Sequence, residues 1–146
     1  MLLKTTIALS FVALTGFAHA QMSPVGLWKT IDDETKKEKS LVRITESNGV
    51  FSGRIEKLLD PATDPKAVCD QCTDDRKDKP VLGMEILRGL KVSSGDPAVF
   101  EGGTIVDPNN GKSYRTRLKP VEDGKKLEMR GYIGPFYRTQ VWIRAE

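Results

Sequence analysis

Histidine is almost missing from this chain: the single copy among 146 residues is His19. It falls in an N-terminal stretch read below as a leader, so the remaining protein has no imidazole. That excludes Ser-His-Asp and Cys-His nucleophilic sites, histidine metal ligands and histidine-based proton switching. Cysteine is nearly as scarce. Cys69 and Cys72 are the only two, so no second pair exists to complete a thiolate zinc site. An excess of charge is also lacking, since 23 Lys and Arg oppose 20 Asp and Glu. So small a balance gives no reason to expect nucleic-acid binding or strong adsorption to an anionic membrane.

Long hydrophobic runs are absent as well. The longest apolar stretch, Thr5 to Phe17, follows the positive Lys4 and precedes Ala18-His19-Ala20. A bilayer span needs about 18 or more apolar residues, whereas a basic start, a short apolar run and a small-x-small site describe a secretory signal peptide. The expectation is a leader over residues 1–20, cleaved before Gln21, with no lipid-bearing cysteine at the new N-terminus. Loss of Lys4 leaves 22 basic against 20 acidic residues, a net charge of +2. The mature chain, residues 21–146, is expected in the periplasm as a single domain without a transmembrane segment. Its length suits one hydrophobic core.

What is present is alternation. FEGGTIVDPNNGKSYRTRL, Phe100 to Leu118, reads as two strands of period two about an Asp-Pro-Asn-Asn-Gly turn. The Gly102-Gly103 pair in its first arm reads as a bend or bulge. Further strands follow from Gly26–Ile31, Ser40–Glu46, Val50–Leu58, Gly83–Val92, Lys126–Ile133 and Tyr137–Arg144. Asn48-Gly49 and Asp123-Gly124 supply tight-turn signals between them. Leu59 to Leu82 is a long irregular segment with three prolines, both cysteines and the charge run DDRKDK. The sequence predicts an all-β fold: a small antiparallel up-and-down barrel of about eight strands, which leaves no exposed sheet edge. A two-sheet sandwich is the competing arrangement, but only residues 59–82 are long enough for a crossover.

Candidate sites follow from that frame. Gly26-x-Trp28 on the first strand, with Arg138 and Arg144 on the last, resembles the lipocalin signature, in which an arginine packs on a tryptophan and closes one barrel end. Cys69-x-x-Cys72 reads as a disulfide, favoured by export and an even cysteine count. A metal site or a redox pair are the alternatives, although Asp70, Asp74 and Asp75 nearby disfavour a reactive thiolate. Arg115, Arg117, Lys119 and Arg130, with Arg43, form either a cationic wall inside the barrel or an outer face paired with Glu128. Burying several unpaired cations would be prohibitive, so the outer face is preferred. Phe51, Ile55, Met84, Tyr114, Thr116, Leu118 and Met129 are the expected lining of a ligand cavity, with residues 59–82 as its lid. Asp107 reads as a turn residue. No catalytic residue, metal or cofactor is assigned.

Several phrases together resemble one bacterial family. They are PVGLWKTIDDETKKEKSLVRI, SGRIEKLLDP, KDKPVLGMEILRGLK, EGGTIVDPNNGKSYRTRLK and LEMRGYIG followed by RTQVW. The combination is similar to the 2147 family of domains of unknown function across the whole mature chain, departing from it around Gly134–Arg138. The resemblance implies an exported protein with a lipocalin-like (calycin) barrel and supplies no activity or catalytic residue. The function expected on these grounds is binding of a small hydrophobic or amphipathic ligand. The rival reading is a solid barrel that contacts an unknown protein partner of the envelope.

Overall fold

The computed structural model describes residues 22–146, and the signal peptide expected over residues 1–20 lies outside them. Eight strands run in chain order: β1 (Gly26–Ile31), β2 (Glu38–Ser47), β3 (Val50–Leu58), β4 (Glu85–Val92), β5 (Phe100–Asp107), β6 (Lys112–Val121), β7 (Lys126–Ile133) and β8 (Phe136–Arg144). Each pairs antiparallel with the next, and β8 returns to β1, closing an up-and-down barrel. Among the described residues no helix is long and apolar enough to cross a membrane.

Closure follows from period-two patterning, because every strand has one apolar face that must find an interior. On β7, Leu127 and Met129 are buried while Glu128 and Arg130 alternate with them on the outside. On β6, Thr116 and Leu118 are buried and Arg115 is exposed. The register breaks between Phe100 and Gly103, the bulge expected of the glycine pair. Asn48 and Gly49 both take positive φ, the geometry a two-residue hairpin requires.

The two barrel ends differ. Trp28, Val42, Ile44, Leu90, Leu118 and Leu127 fill one half with essentially no exposure. Phe51 and Phe100 meet there edge to face, their centroids 4.8 Å apart. The β1–β2, β3–β4, β5–β6 and β7–β8 connections gather at the other end, and the longest, residues 59–84, leans over it. This segment contains one isolated bridge, Val68 to Pro80, and no helix. Gly111 fixes where it lands: a Cβ there would lie 2.0 Å from the Gln71 carbonyl oxygen, so only glycine lets the β5–β6 turn meet the loop.

Candidate functional site

The barrel interior opens at the loop end into a cavity of about 290 Å³. Its walls come from inward positions of successive strands: Ile55 and Leu58 of β3, Ile86 of β4, Ile105 of β5, Tyr114 of β6, Met129 of β7 and Trp142 of β8. Val81 of the long connection covers one side. Thr30 and Ser40 form the polar part of the wall, and their hydroxyls satisfy each other at 2.8 Å. The rim is charged, with Asp32 and Asp33 from the β1–β2 turn, Lys39, Asp107 and Arg138.

A hydrogen-bonded chain runs from this rim to the cavity floor. Trp142 is 1% exposed and donates its indole N–H to Gln140 Oε1 at 3.0 Å. Gln140 Nε2 donates to Asp33 at 3.4 Å. Arg138 closes on the same carboxylate through Nε and Nη2 at 2.8–3.0 Å and reaches Glu34 at 3.1 Å. Its hydrogen bonds to Asp33, with the Asp33 charge next, raise the Arg138 pKa above the ordinary guanidinium value. Two planar groups engaged through parallel donors form the strong variety of ion pair. The β1–β2 turn is thereby latched to β8 across the mouth. Asp32 holds the turn itself, accepting the Thr35 and Glu34 amides at 2.7 and 3.0 Å. The Thr35 amide bond is the chief reason its pKa is lowered.

At the sealed end, Gly26, Trp28 and Arg144 come together. The Arg144 guanidinium carbon lies 4.1 Å from the Trp28 ring centroid. Its nitrogens donate to the carbonyls of Ser23, Val25 and Gly124, binding the N-terminal arm and the β6–β7 turn. The Trp28 indole N–H donates to the Pro24 carbonyl at 2.7 Å. Gly26 takes a φ of 140°, which side-chain-bearing residues rarely adopt, and this fixes a glycine two residues before the tryptophan. Arg138 does not join this group. Six residues along one strand separate two positions by about 20 Å, and β8 carries Arg138 to the open end.

Of the seven residues expected to line a cavity, Ile55, Tyr114 and Met129 do so. Phe51 and Leu118 belong to the packed half. Thr116 is buried on the inward face, its hydroxyl donating to the Arg130 carbonyl at 2.8 Å. Met84 is buried at the base of the long connection, where its carbonyl accepts the Ile55 amide. Cys69 and Cys72 form a buried disulfide. Arg115, Arg117, Lys119 and Arg130 stand outside the barrel, with Lys119 opposite Glu128. Arg43 pairs with Glu56 and Glu146. Asp107 caps its turn by accepting the Asn109 amide at 2.9 Å. Among the described residues no group of three or more His, Cys, Asp or Glu side chains could hold a metal ion.

The sequence reading missed Trp142, Gln140 and Asp33. The first two carried a signal: in YRTQVWIR they share a strand face with Arg138. Asp33 carried none, because a turn written DDETKK looks solvated throughout.

The geometry has relatives. A solved structure of a protein from the human pathogen Helicobacter pylori, described as belonging to the lipocalin family, superposes with a TM-score of 0.70. The match covers 86% of this chain and 84% of that one at 22% identity. Likeness at this level establishes a shared lipocalin-like fold. A comparison with curated proteins finds no match. The model of an uncharacterized protein family conserved in bacteria, DUF2147, matches residues 26–144, the whole barrel from β1 to β8. The chain belongs to the DUF2147 family.

Proposed function

We propose that this protein is an exported, non-enzymatic binder of one small amphipathic molecule, held in the open half of its barrel. The carrying observation is the cavity: an apolar floor of Trp142, Met129, Ile105 and Ile55 beneath a charged rim. That division matches a ligand with an apolar body and a polar end. At about 290 Å³ the space lies at the small end of ligand sites, so the ligand is a short chain or a single ring system. The Arg138–Asp33 latch and the Val81 side of the long connection flank the way in. The basic, apolar and small-x-small order of residues 4–20 supports export. The Cys69–Cys72 disulfide supports an oxidising compartment, which we read as the periplasm.

Trp142 on the floor is a built-in reporter. The chain has two tryptophans, and Trp28→Phe leaves Trp142 as the emitter. Protein recovered from the periplasmic fraction should show, by native mass spectrometry, a bound species that is lost on organic extraction. Adding an extract of the envelope back should then shift Trp142 emission and raise the thermal midpoint. A chain recovered uncleaved from the cytoplasm, or one that no extract component shifts, would sink this reading.

A further inference from the structure

The outer face of β6–β8 carries charge that the fold does not use. Arg117 stands directly opposite Arg130 in the β6–β7 register. Like charges at facing positions destabilise a sheet, and neither arginine makes an ion pair among the described residues. One row nearer the mouth, Arg115 lies opposite Tyr132, which lies opposite Tyr137. Arg115 sits 5.4 Å from the Tyr132 centroid, and Arg130 sits 4.0 Å from that of Tyr137. The rings lie beside the guanidinium groups, and among the described residues no carboxylate pairs with them. Glu128 is the acidic residue within this face, and it stands opposite Lys119. Of the acidic side chains at the mouth, Asp33 and Glu34 are engaged by Arg138, while Asp32 and Asp107 accept the amides of their own turns.

The next pair along the same hairpin is apolar and turns to the cavity side of the strands, at the rim. Ile133 faces Phe136 across the Gly134-Pro135 turn, and the two are 53% and 73% exposed. Nothing in the barrel needs a phenylalanine there, since its side chain adds nothing to the core. An apolar tip, then tyrosines, then unneutralised arginines is the order in which a protein meets a lipid surface: acyl region, headgroup level, phosphates.

We infer that the β7–β8 tip and the arginine face of β6–β7 dock on an anionic phospholipid surface. Phe136 and Ile133 enter the headgroup boundary, and Arg115, Arg117 and Arg130 meet the phosphates. Ile133 also lines the cavity, so the docked tip holds the mouth against the lipid. The near-zero net charge of the chain does not oppose this, because a surface reads the local face and not the sum. Docking stands apart from cavity occupancy and can hold or fail without it.

The test is flotation of the full-length gene product with vesicles of phosphatidylcholine, alone or mixed with phosphatidylglycerol. Binding is expected to the mixed vesicles only and to weaken with salt. Each basic group lost should lower it roughly fivefold, and Phe136→Ser about tenfold. Arg117→Glu separates docking from folding, since it places a carboxylate opposite Arg130. Its thermal midpoint should hold or rise while vesicle binding falls. Equal flotation with neutral vesicles, or unchanged flotation of Arg117→Glu and Phe136→Ser, would overturn the inference. So would retention on heparin as strong as on vesicles and indifferent to Phe136→Ser, which would assign the face to acidic polymers. Trp142 emission measured on the same variants reports the cavity independently.

Discussion

A guanidinium that is 5% exposed must find acceptors within the protein, and Arg76 finds them on three elements. It clasps the Asp74 carboxylate, donates to the Glu85 carbonyl at 3.0 Å and reaches the Ser113 hydroxyl at 3.5 Å. The loop is thereby tied to β4 and β6 through one side chain. Asp74 is held down at about pKa 2, chiefly by the Arg76 side chain and then by its amide. A depressed carboxylate stabilises the fold fully above its unfolded value of 3.8 and loses that contribution as pH falls through about 2. Loop protection measured by hydrogen exchange should therefore decay between those two values, and Asp74→Asn should reduce the decay to the share that Asp60 and Asp75, also lowered by Lys39 and Arg88, contribute. Arg76→Met should cost about 2–3 kcal/mol in urea unfolding, the scale of lost hydrogen bonds to a charged group. A cost near zero would mean that the clasp is ornamental. None of this was visible in DDRKDK, where one buried arginine looks like its solvated neighbours. Sequence records charge and not depth.

Among elements, the strands were legible and the long connection was not. Each strand repeats one physical rule, apolar in and polar out, and each tight turn carries residues that tolerate its dihedrals. Boundaries moved by a few residues at most: β2 begins at Glu38, which pairs with Ile31, β4 begins at Glu85 instead of Gly83, β6 runs on to Val121, and β8 begins at Phe136. The 59–84 segment obeys no repeating rule. Its course depends on partners distant in sequence: Lys39 on Asp60 at 2.6 Å, Arg88 on Asp75 at 2.8 Å, and Gln71 against Gly111. The disulfide closes four residues, worth roughly 2 kcal/mol by loop entropy. Its sulfurs also pack in the core cluster with Val81 and Val106. Reduction, or Cys69→Ser with Cys72→Ser, should raise proteolysis within residues 62–80 and leave β1–β3 and β6–β8 exchange unchanged. Gly111→Ala should release the same segment without touching the sulfurs. If either change unfolded the barrel as a unit, the loop would belong to the core and not to its lid.

At the scale of the whole molecule, the packed core and the cavity occupy different halves of one barrel. The sealed half is lined by side chains of essentially no exposure and capped by Arg144 on Trp28, while the open half borders a cavity. Truncation should expose that division. Leu118→Ala removes a side chain with 0% exposure from close packing, and such changes cost about 2–5 kcal/mol because the void left behind stays empty. Met129 is the direct partner of Leu118 across the β6–β7 ladder, yet it is 7% exposed and borders the cavity. Met129→Ala enlarges a space that already exists, so the cavity penalty is small and the cost should be nearer 1–2 kcal/mol. Ligand response should invert the order, with Met129→Ala shifting affinity or ligand size preference and Leu118→Ala leaving both alone. Urea unfolding and Trp142 emission titrations on the two variants measure both halves of the claim. Equal stability costs, or an unchanged ligand response in Met129→Ala, would show one undivided core instead of a plugged barrel with a working mouth.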